Sequence, residues 1–405
     1  MSESIPRVAP KAYEYTKTVL DFGFRNAHSV GMSARLEKEF AERFGQTYGF
    51  THCNGTATMQ SALMAAGVGV GDEVITPAFT VFSTSAVALH CNAVPIIVDV
   101  DPDTWTISVD EIRKHITPRT KAIIPVAICG LPADMDPIME LAAEHDLVVI
   151  EDNAQCYLGH YKGRVAGSIG HFASFSFQSS KTLTCGDGGI LICSDDDLAL
   201  AARKAATAGY KDLTIKPGDT VISEALRSLP SYQRHDSIGW NQRLPEIAAA
   251  VALAELERVD DLVRMRTYAA DAFAPVLEAC DWLVPQKVPD GVINAWWASA
   301  ARITRDDLDW GELFAAFKEL GGDGFYAPPC PVHLEPVYAN LNRAVDENPE
   351  RYPHFAGRLP RYERGICPIW EQIQPRTIML KTNYWDTDSA DRQAEILAKT
   401  LQRFE

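Results

Sequence analysis

The sequence predicts an α/β fold: a large domain on a mostly parallel sheet with helices on both faces, followed by a smaller C-terminal α/β domain. Three observations carry this expectation. Short, β-branched apolar runs alternate with helical patterns as far as Glu151, as expected for strands buried on both faces and joined by crossover helices. An acidic pair, Glu151-Asp152, closes one of these runs, at the strand end where open sheets collect their ligands. From about Phe172 the alternation gives way to two strands, ASFSF and GGILICS, on either side of a Ser- and Gly-rich loop.

Taken in order, SARLEKEFAERF (about Ser33–Phe44) repeats apolar residues at helical spacing and stops at Gly45. A helix at Thr56–Ala66, a strand at Glu73–Thr76 and a helix at Ser83–His90 follow. Next come the strand Val94–Val100, a helix opened by Ser108, the strand Lys121–Val126, the helix Pro137–His145 and the strand Leu147–Glu151. After the strand pair, Asp195–Ala208 reads as a helix and Gly209–Gln242 as a polar surface segment. Pro245 stands at the favoured first position of a helix over PEIAAAVALAELERV, and a second helix covers Asp261–Ala279. Short strands and helices near Leu308–Leu320 and Ser389–Phe404 complete the chain. The expected division is 1–240 for the large domain and 241–405 for the smaller one.

With 405 residues the chain is too long for one small core. Apolar residues make up 46% and charged residues 23%, an ordinary globular balance. The formal net charge of −16 makes nucleic acid and anionic membrane poor partners. No stretch approaches the ~20 apolar residues of a membrane helix, and the N-terminus shows no basic-then-apolar secretory pattern. The nine cysteines are odd in number and contain no C-x-x-C pair, so neither disulfides nor a structural metal are expected, and a reducing cytoplasm fits.

Three segments carry candidate chemistry. His52-Cys53-Asn54-Gly55-Thr56-Ala57 is a Gly-Thr turn feeding a helix; free N–H groups and the helix dipole there favour an anion, although the same residues also suit a plain cap. Glu151-Asp152-Asn153-Ala154-Gln155 presents carboxylates at a strand end, suited to a protonated heteroaromatic nitrogen and equally to a cap or a metal. Ser174-Phe175-Ser176-Phe177-Gln178-Ser179-Ser180-Lys181 places a lysine between two strands; if not a surface charge, it is an amine that desolvation would make nucleophilic. Together the three ask for one cofactor with a phosphate, a ring nitrogen and an aldehyde. Pyridoxal 5'-phosphate (PLP) has all three.

At this point the chain resembles the DegT/DnrJ/EryC1/StrS family of sugar aminotransferases. The likeness runs from GMSARLEKEFAERFG through HCNGTATMQSALMAAGVGVGDEVITPAFT, CGLPADMD, VVIEDNAQCYLGHYKGRVAGSIG and SFSFQSSKTLTCGDGGIL to GWNQRLPEIAAAVALAELERV. It implies a fold-type I PLP enzyme with a seven-stranded mixed sheet. It also implies that Lys181 is the Schiff-base lysine, that Asp152 pairs with the pyridine nitrogen, and that Gln155 lies beside the ring hydroxyl. Gly55, Thr56, Ala57 and Ser176 match phosphate contacts, and Asn241 matches a phosphate contact from a neighbouring subunit, hence a homodimer with shared sites. The reaction implied moves an amino group from glutamate or glutamine to a keto sugar or keto cyclitol, with Lys181 carrying the proton.

The chain departs from the family pattern in places. Thr80-Val81-Phe82 stands where relatives have Thr followed by a stacking aromatic, so Phe79 or Phe82 is the candidate to cover the ring. Ala127 replaces a histidine, and Asn241-Gln242-Arg243 replaces Asn-Tyr-Arg. Arg234 and Arg243 suit an anionic donor or nucleotide, and His333, in PPCPVHLEPVY, matches a segment at the cleft mouth. KTNYW, Lys381–Trp385, reads either as substrate lining or as an ordinary strand. Two alternatives keep the cofactor: a keto-sugar dehydratase, whose relatives replace the lysine with histidine, and a catalytically silent regulator. A dinucleotide oxidoreductase lacks its G-x-G-x-x-G signal here.

Overall fold

In a computed structural model, which describes residues 2–24, 31–215 and 223–405, local signals position the elements. The first half runs α1 (Pro10–Asp21), α2 (Met32–Arg43), β1 (Tyr48–His52), α3 (Gly55–Ala65), β2 (Glu73–Pro77), α4 (Phe82–His90), β3 (Val94–Val98), α5 (Val109–His115) and β4 (Thr120–Ile123). It continues with α6 (Met135–His145), β5 (Val148–Asp152), the short β6 (His160–Tyr161) and β7 (Arg164–Val165), β8 (Phe172–Ser176), β9 (Gly189–Cys193) and α7 (Asp196–Ala206). The second half holds α8 (Glu224–Arg227), α9 (Glu246–Leu256), α10 (Val259–Glu278), β10 (Leu283–Pro285), β11 (Val292–Ile293), β12 (Ala298–Ile303) and α11 (Trp310–Glu319). It ends with β13 (Phe325–Tyr326), α12 (Pro336–Glu347), α13 (Pro368–Ile373), β14 (Thr377–Lys381) and α14 (Thr387–Leu401).

Helices start where a side chain can accept a first-turn N–H that the helix leaves unpaired. Asn54 accepts from Ala57, Ser108 from Glu111, Asp195 from Leu198 and Asp386 from Ser389. Asp309 and Glu312 form a reciprocal capping box for α11. Pro245 stands at the N-cap of α9 rather than inside it. The amphipathic α1, the strand β1 and α12 lie outside the elements expected from sequence; β1, YGFTH, is short and carries no run of branched residues that would single it out.

The large sheet has seven strands in the order β1-β9-β8-β5-β4-β2-β3. The pairs β2–β3, β2–β4, β4–β5 and β5–β8 are parallel, while β9 runs antiparallel to both β8 and β1. The expected mixed, mostly parallel sheet is therefore present. Side chains alternate across it as the pleat requires. Ala173, Phe175, Ile190 and Ile192 pack with α2 and α9 on one face; Phe172, Leu191 and Cys193 pack with α3 and α7 on the other. α9 thus belongs to the core of the large sheet although it follows the expected boundary at 240/241, because its alanine-rich surface lets it lie close against α2 and β8–β9.

A second sheet, β10-β12-β14-β13, is antiparallel and packs on α10, α11 and α14. A further cluster joins the two halves: Phe79, Trp105, Ile128 and Cys129 meet Ala298, Ala300, Trp370 and Met379. This contact brings the β12 end of the second sheet over the carboxyl edge of the first.

Candidate active site

Register in the large sheet assembles the site. Asp152 pairs with Ser174 across β5–β8, and Ser176 pairs with Gly189 across β8–β9, which in turn pairs with His52 of β1. The ends of β5 and β8, the start of α3 and the β8–β9 loop therefore meet at one edge, the place where parallel sheets bind ligands.

Asp152 is 2% exposed. Its Oδ2 accepts from the Thr84 hydroxyl at 2.8 Å and its Oδ1 from the Ala154 N–H at 3.2 Å. Burial pushes its pKa up, while Thr84, Ala154 and the charge of Lys181 hold it down. Among the described residues no Lys or Arg forms an ion pair with it, so a buried carboxylate faces the edge with only neutral donors. Such a group is costly unless a cation comes to it.

Lys181 sits in a tight turn: its N–H donates to the Gln178 carbonyl at 2.9 Å, and the Gln178 Oε1 accepts from the Ser180 N–H at 2.8 Å. Its ammonium lies 5.4 Å from the centre of the Trp297 ring. Burial lowers the pKa of the amine; Asp152 opposes that shift and Arg266 adds to it. A lysine in this setting is a competent nucleophile and base.

At the start of α3, a Cβ added to Gly55 would lie 2.9 Å from the Cβ of Ser176 and 3.4 Å from its Oγ. Glycine keeps a small cradle open there, beside a helix N-terminus and a serine hydroxyl, which suits a phosphate. Thr56 occupies the first turn of the same helix. The Ala57 N–H, expected as a phosphate contact, is already donated to Asn54 Oδ1 at 2.8 Å. Gln155 is buried and its Oε1 accepts from the Cys129 N–H at 2.7 Å, which fixes its side chain near the strand end.

The expected substrate residues are placed differently from one another. Phe79 is 1% exposed and stacked on Trp370, centroids 3.8 Å apart, so it is core and its faces are not free to cover a ligand. Phe82 is 40% exposed at the start of α4, edge-on to Tyr338. His333 is fully buried: Nε2 bonds Glu371 at 2.8 Å, Nδ1 has no partner among the described residues, and burial lowers its pKa. It serves packing between α12 and α13 rather than a cleft mouth. Asn241, Arg234 and Arg243 are exposed, whereas Gln242 is buried and bonds Ser61 and Gln60. From KTNYW, Asn383, Tyr384 and Trp385 line a cavity of about 50 Å³ that Lys181 and Arg266 share.

Three residues of the site escaped sequence reasoning. Thr84 bonds Asp152 directly, Trp297 faces Lys181, and Arg266 bonds the Ser180 carbonyl from α10. The i,i+4 pair Thr80 and Thr84 was the available signal for the first, since both hydroxyls turn to one side. The other two approach from far along the chain.

One sheet edge thus gathers a lysine, a buried carboxylate and a glycine-opened helix start, on a fold shared with solved aminotransferases. The chain belongs to the DegT/DnrJ/EryC1/StrS aminotransferase family, whose model matches residues 18–364. It is 33% identical to the GDP-perosamine synthase of Caulobacter vibrioides over 84% of this chain and 87% of that protein. It is 32% identical to the L-glutamine:2-deoxy-scyllo-inosose aminotransferase of Micromonospora echinospora over 84% of this chain and 81% of that protein. The matched stretch spans 60% of the length of some curated relatives. The crystal structure of S. venezuelae DesV in complex with a ketimine intermediate, 28% identical, superposes with a TM-score of 0.79 over 97% of this chain and 94% of that one. No helix among the described residues is long and apolar enough to cross a membrane.

Proposed function

We propose that this chain uses pyridoxal 5'-phosphate to move an amino group from glutamate or glutamine to a keto sugar, nucleotide-linked, or to a related keto cyclitol. One observation carries the reading: Lys181 and Asp152 lie within electrostatic reach of each other at one sheet edge, the amine made less basic by burial and the buried carboxylate in no direct ion pair among the described residues.

The residues present fit the cofactor. Gly55, Thr56 and Ser176 would receive its phosphate, with Ala57 contributing if its N–H turns from Asn54. Asp152 would face its ring nitrogen and Gln155 its ring hydroxyl. When bound, the cofactor supplies a carbonyl carbon for amine exchange and a ring that takes up the electrons released at the donor's α-carbon. With the cofactor bound, the Lys181 amine would be the nucleophile facing its carbonyl and, once freed by the donor, the base that takes the proton from the donor's α-carbon. Asp152 would hold a proton on the ring nitrogen, and the Thr84 hydroxyl, donating to Asp152, opposes the rise that burial causes in its pKa. The Trp297 ring, its centre 5.4 Å from the Lys181 ammonium, covers one side of the amine. The same groups act in reverse order on the ketone.

Phe82 and Arg243, both exposed beside this edge of the chain or on the polar segment before α9, are assigned to the acceptor side. Exposed Asn241 is assigned to the phosphate of a neighbouring subunit's site, so the proposal includes a homodimer with shared sites. The nine unpaired cysteines support a cytoplasmic setting. The dehydratase reading loses ground to the lysine at position 181. The silent-regulator reading loses ground to the full set Asp152, Gln155, Ser176 and Lys181.

Borohydride reduction of PLP-loaded protein followed by peptide mapping tests the assignment. The label is expected on Lys181, and the loaded protein is expected to lose its near-visible absorbance with an amino donor and regain it with an acceptor ketone. A label on any other residue overturns the proposal.

A further inference from the structure

Arg266 lies on α10 and is 6% exposed. Among the described residues it forms no ion pair with a carboxylate; its neighbours are neutral oxygens. Nη1 donates to the Trp297 carbonyl at 2.9 Å and to the Thr382 hydroxyl at 3.0 Å, and Nη2 reaches the Ser180 carbonyl at 3.5 Å. The Trp297 indole N–H donates to that same Ser180 carbonyl at 3.0 Å. Thr382 in turn donates to the Trp296 carbonyl at 2.6 Å, and Trp296 adopts a left-handed backbone, φ 50°, in which its own N–H is held by Asn294 at 2.8 Å. One guanidinium therefore joins three segments: the peptide bond that precedes Lys181, the Trp296–Trp297 turn before β12, and the end of β14.

We propose, on the reading that Lys181 carries the amine chemistry, that Arg266 is its positioning residue, anchoring the Ser180 carbonyl from α10 so that the lysine's backbone cannot drift from the sheet edge. The argument is one of cost. A buried arginine without a carboxylate is expensive, and its planar fork holds several oxygens in a fixed geometry that a rotating ammonium does not impose. Packing alone would be served by an apolar side chain of the same length.

The charge has a second effect on its neighbour. The charges that act on the Lys181 amine are those of Asp152 on β5 and Arg266 on α10, and the titratable groups that act on the guanidinium are Tyr157 and Tyr326. Glu255 and Arg7 also line the shared cavity, but Glu255 is held by Arg258 at 2.6 Å. Burial without a counter-charge lowers the pKa of Arg266 to about 10, and its remaining positive charge favours the neutral form of the Lys181 amine.

The test uses the full chain with Arg266→Met and Arg266→Lys. In cofactor-free protein, the rate at which trinitrobenzenesulfonate modifies residue 181 is followed against pH by peptide mapping. Arg266→Met is expected to move the profile to higher pH and slow modification at neutral pH by about tenfold, the effect of a charge change of this kind on one ionisation. Arg266→Lys keeps a charge without the fork, so its pH profile is expected to stay near that of the parent while PLP attachment, read by absorbance, slows by a similar factor. If Arg266→Met does not fold, attachment in Arg266→Lys decides alone. Parental pH profile in Arg266→Met, or parental attachment in Arg266→Lys, overturns the proposal. Borohydride mapping of the parent separates the two ideas: a label away from residue 181 removes the underlying reading, whereas a label on it with unchanged variants removes only the role of Arg266.

Discussion

Replacing Thr84 with valine should slow proton transfer without unfolding the protein. The Thr84 hydroxyl has one proton, and it is donated to Asp152 Oδ2 at 2.8 Å. The contact with Thr80 at 2.7 Å must then run the other way, Thr80 donating to Thr84, so the two threonines form a directed relay onto the carboxylate. Valine keeps the shape and removes the donor. Hydrogen bonds to a charged acceptor contribute about 1.5–3 kcal/mol, and Asp152 would retain only the longer Ala154 contact. If that stabilisation of the ionised carboxylate is realised when the α-proton moves, its loss slows the step roughly ten- to hundredfold. Stopped-flow absorbance of the half-reaction at saturating amino donor, with PLP-loaded protein, reads the step directly. Thr84→Ser should restore most of the rate because it keeps the hydroxyl. A valine variant within about twofold of the parent would refute the claim that this hydroxyl sustains the carboxylate.

Three further outcomes follow from the geometry. Gly55→Ala puts a methyl 2.9 Å from Ser176; overpacking of this size costs about 1–3 kcal/mol, so PLP affinity in an absorbance titration should fall about tenfold while the circular dichroism spectrum stays parental, and unchanged affinity would show the cradle is not used. Arg203→Met strands Glu37, which is 8% exposed and, among the described residues, otherwise bonded only to Thr51 through its side chain; urea denaturation should show a loss of about 3 kcal/mol, and a loss well under 1 kcal/mol would mean that the pair is not buried in solution. His52 is fully buried and bonded to the Phe50 carbonyl and Ser61, and burial lowers its pKa to about 4. The unfolded chain then binds more protons than the folded one as pH falls from the ordinary histidine range toward 4, so stability is lost through that window, by an amount on the order of 3 kcal/mol. His52→Gln should flatten that part of the stability–pH curve; an equally steep curve would assign the loss to other groups.

Much of the site was legible because its residues belong to local patterns. Lys181, Ser176, Asp152 and Gln155 sit in two short segments whose strand-then-loop character can be read from apolar runs and turn residues, and Gly55 with Thr56 sits in a cap followed by a helix. Where the reading failed, the deciding contacts join distant parts of the chain. Phe79 looked available to a ligand beside Val81, yet Trp370 claims its ring face. His333 looked like a cleft residue, yet Glu371 holds it inside the packing between two helices. α9 looked like the opening of the smaller domain, yet its small residues let it join the core of the large sheet.

The sequence by itself determined the alternation of strands and helices, the helix starts, the residues able to carry amine and carboxylate chemistry, and the family. These depend on neighbours a few positions away, whose steric and hydrogen-bonding preferences act locally. Only the tertiary structure decided the strand order with its one reversed member β9, the burial that pushes the Asp152 pKa up and the Lys181 pKa down, and the convergence of Thr84, Trp297 and Arg266 upon them. Burial and long-range contact are properties of the assembled chain, because the dielectric around a side chain is set by everything that packs against it and not by the residues that precede it.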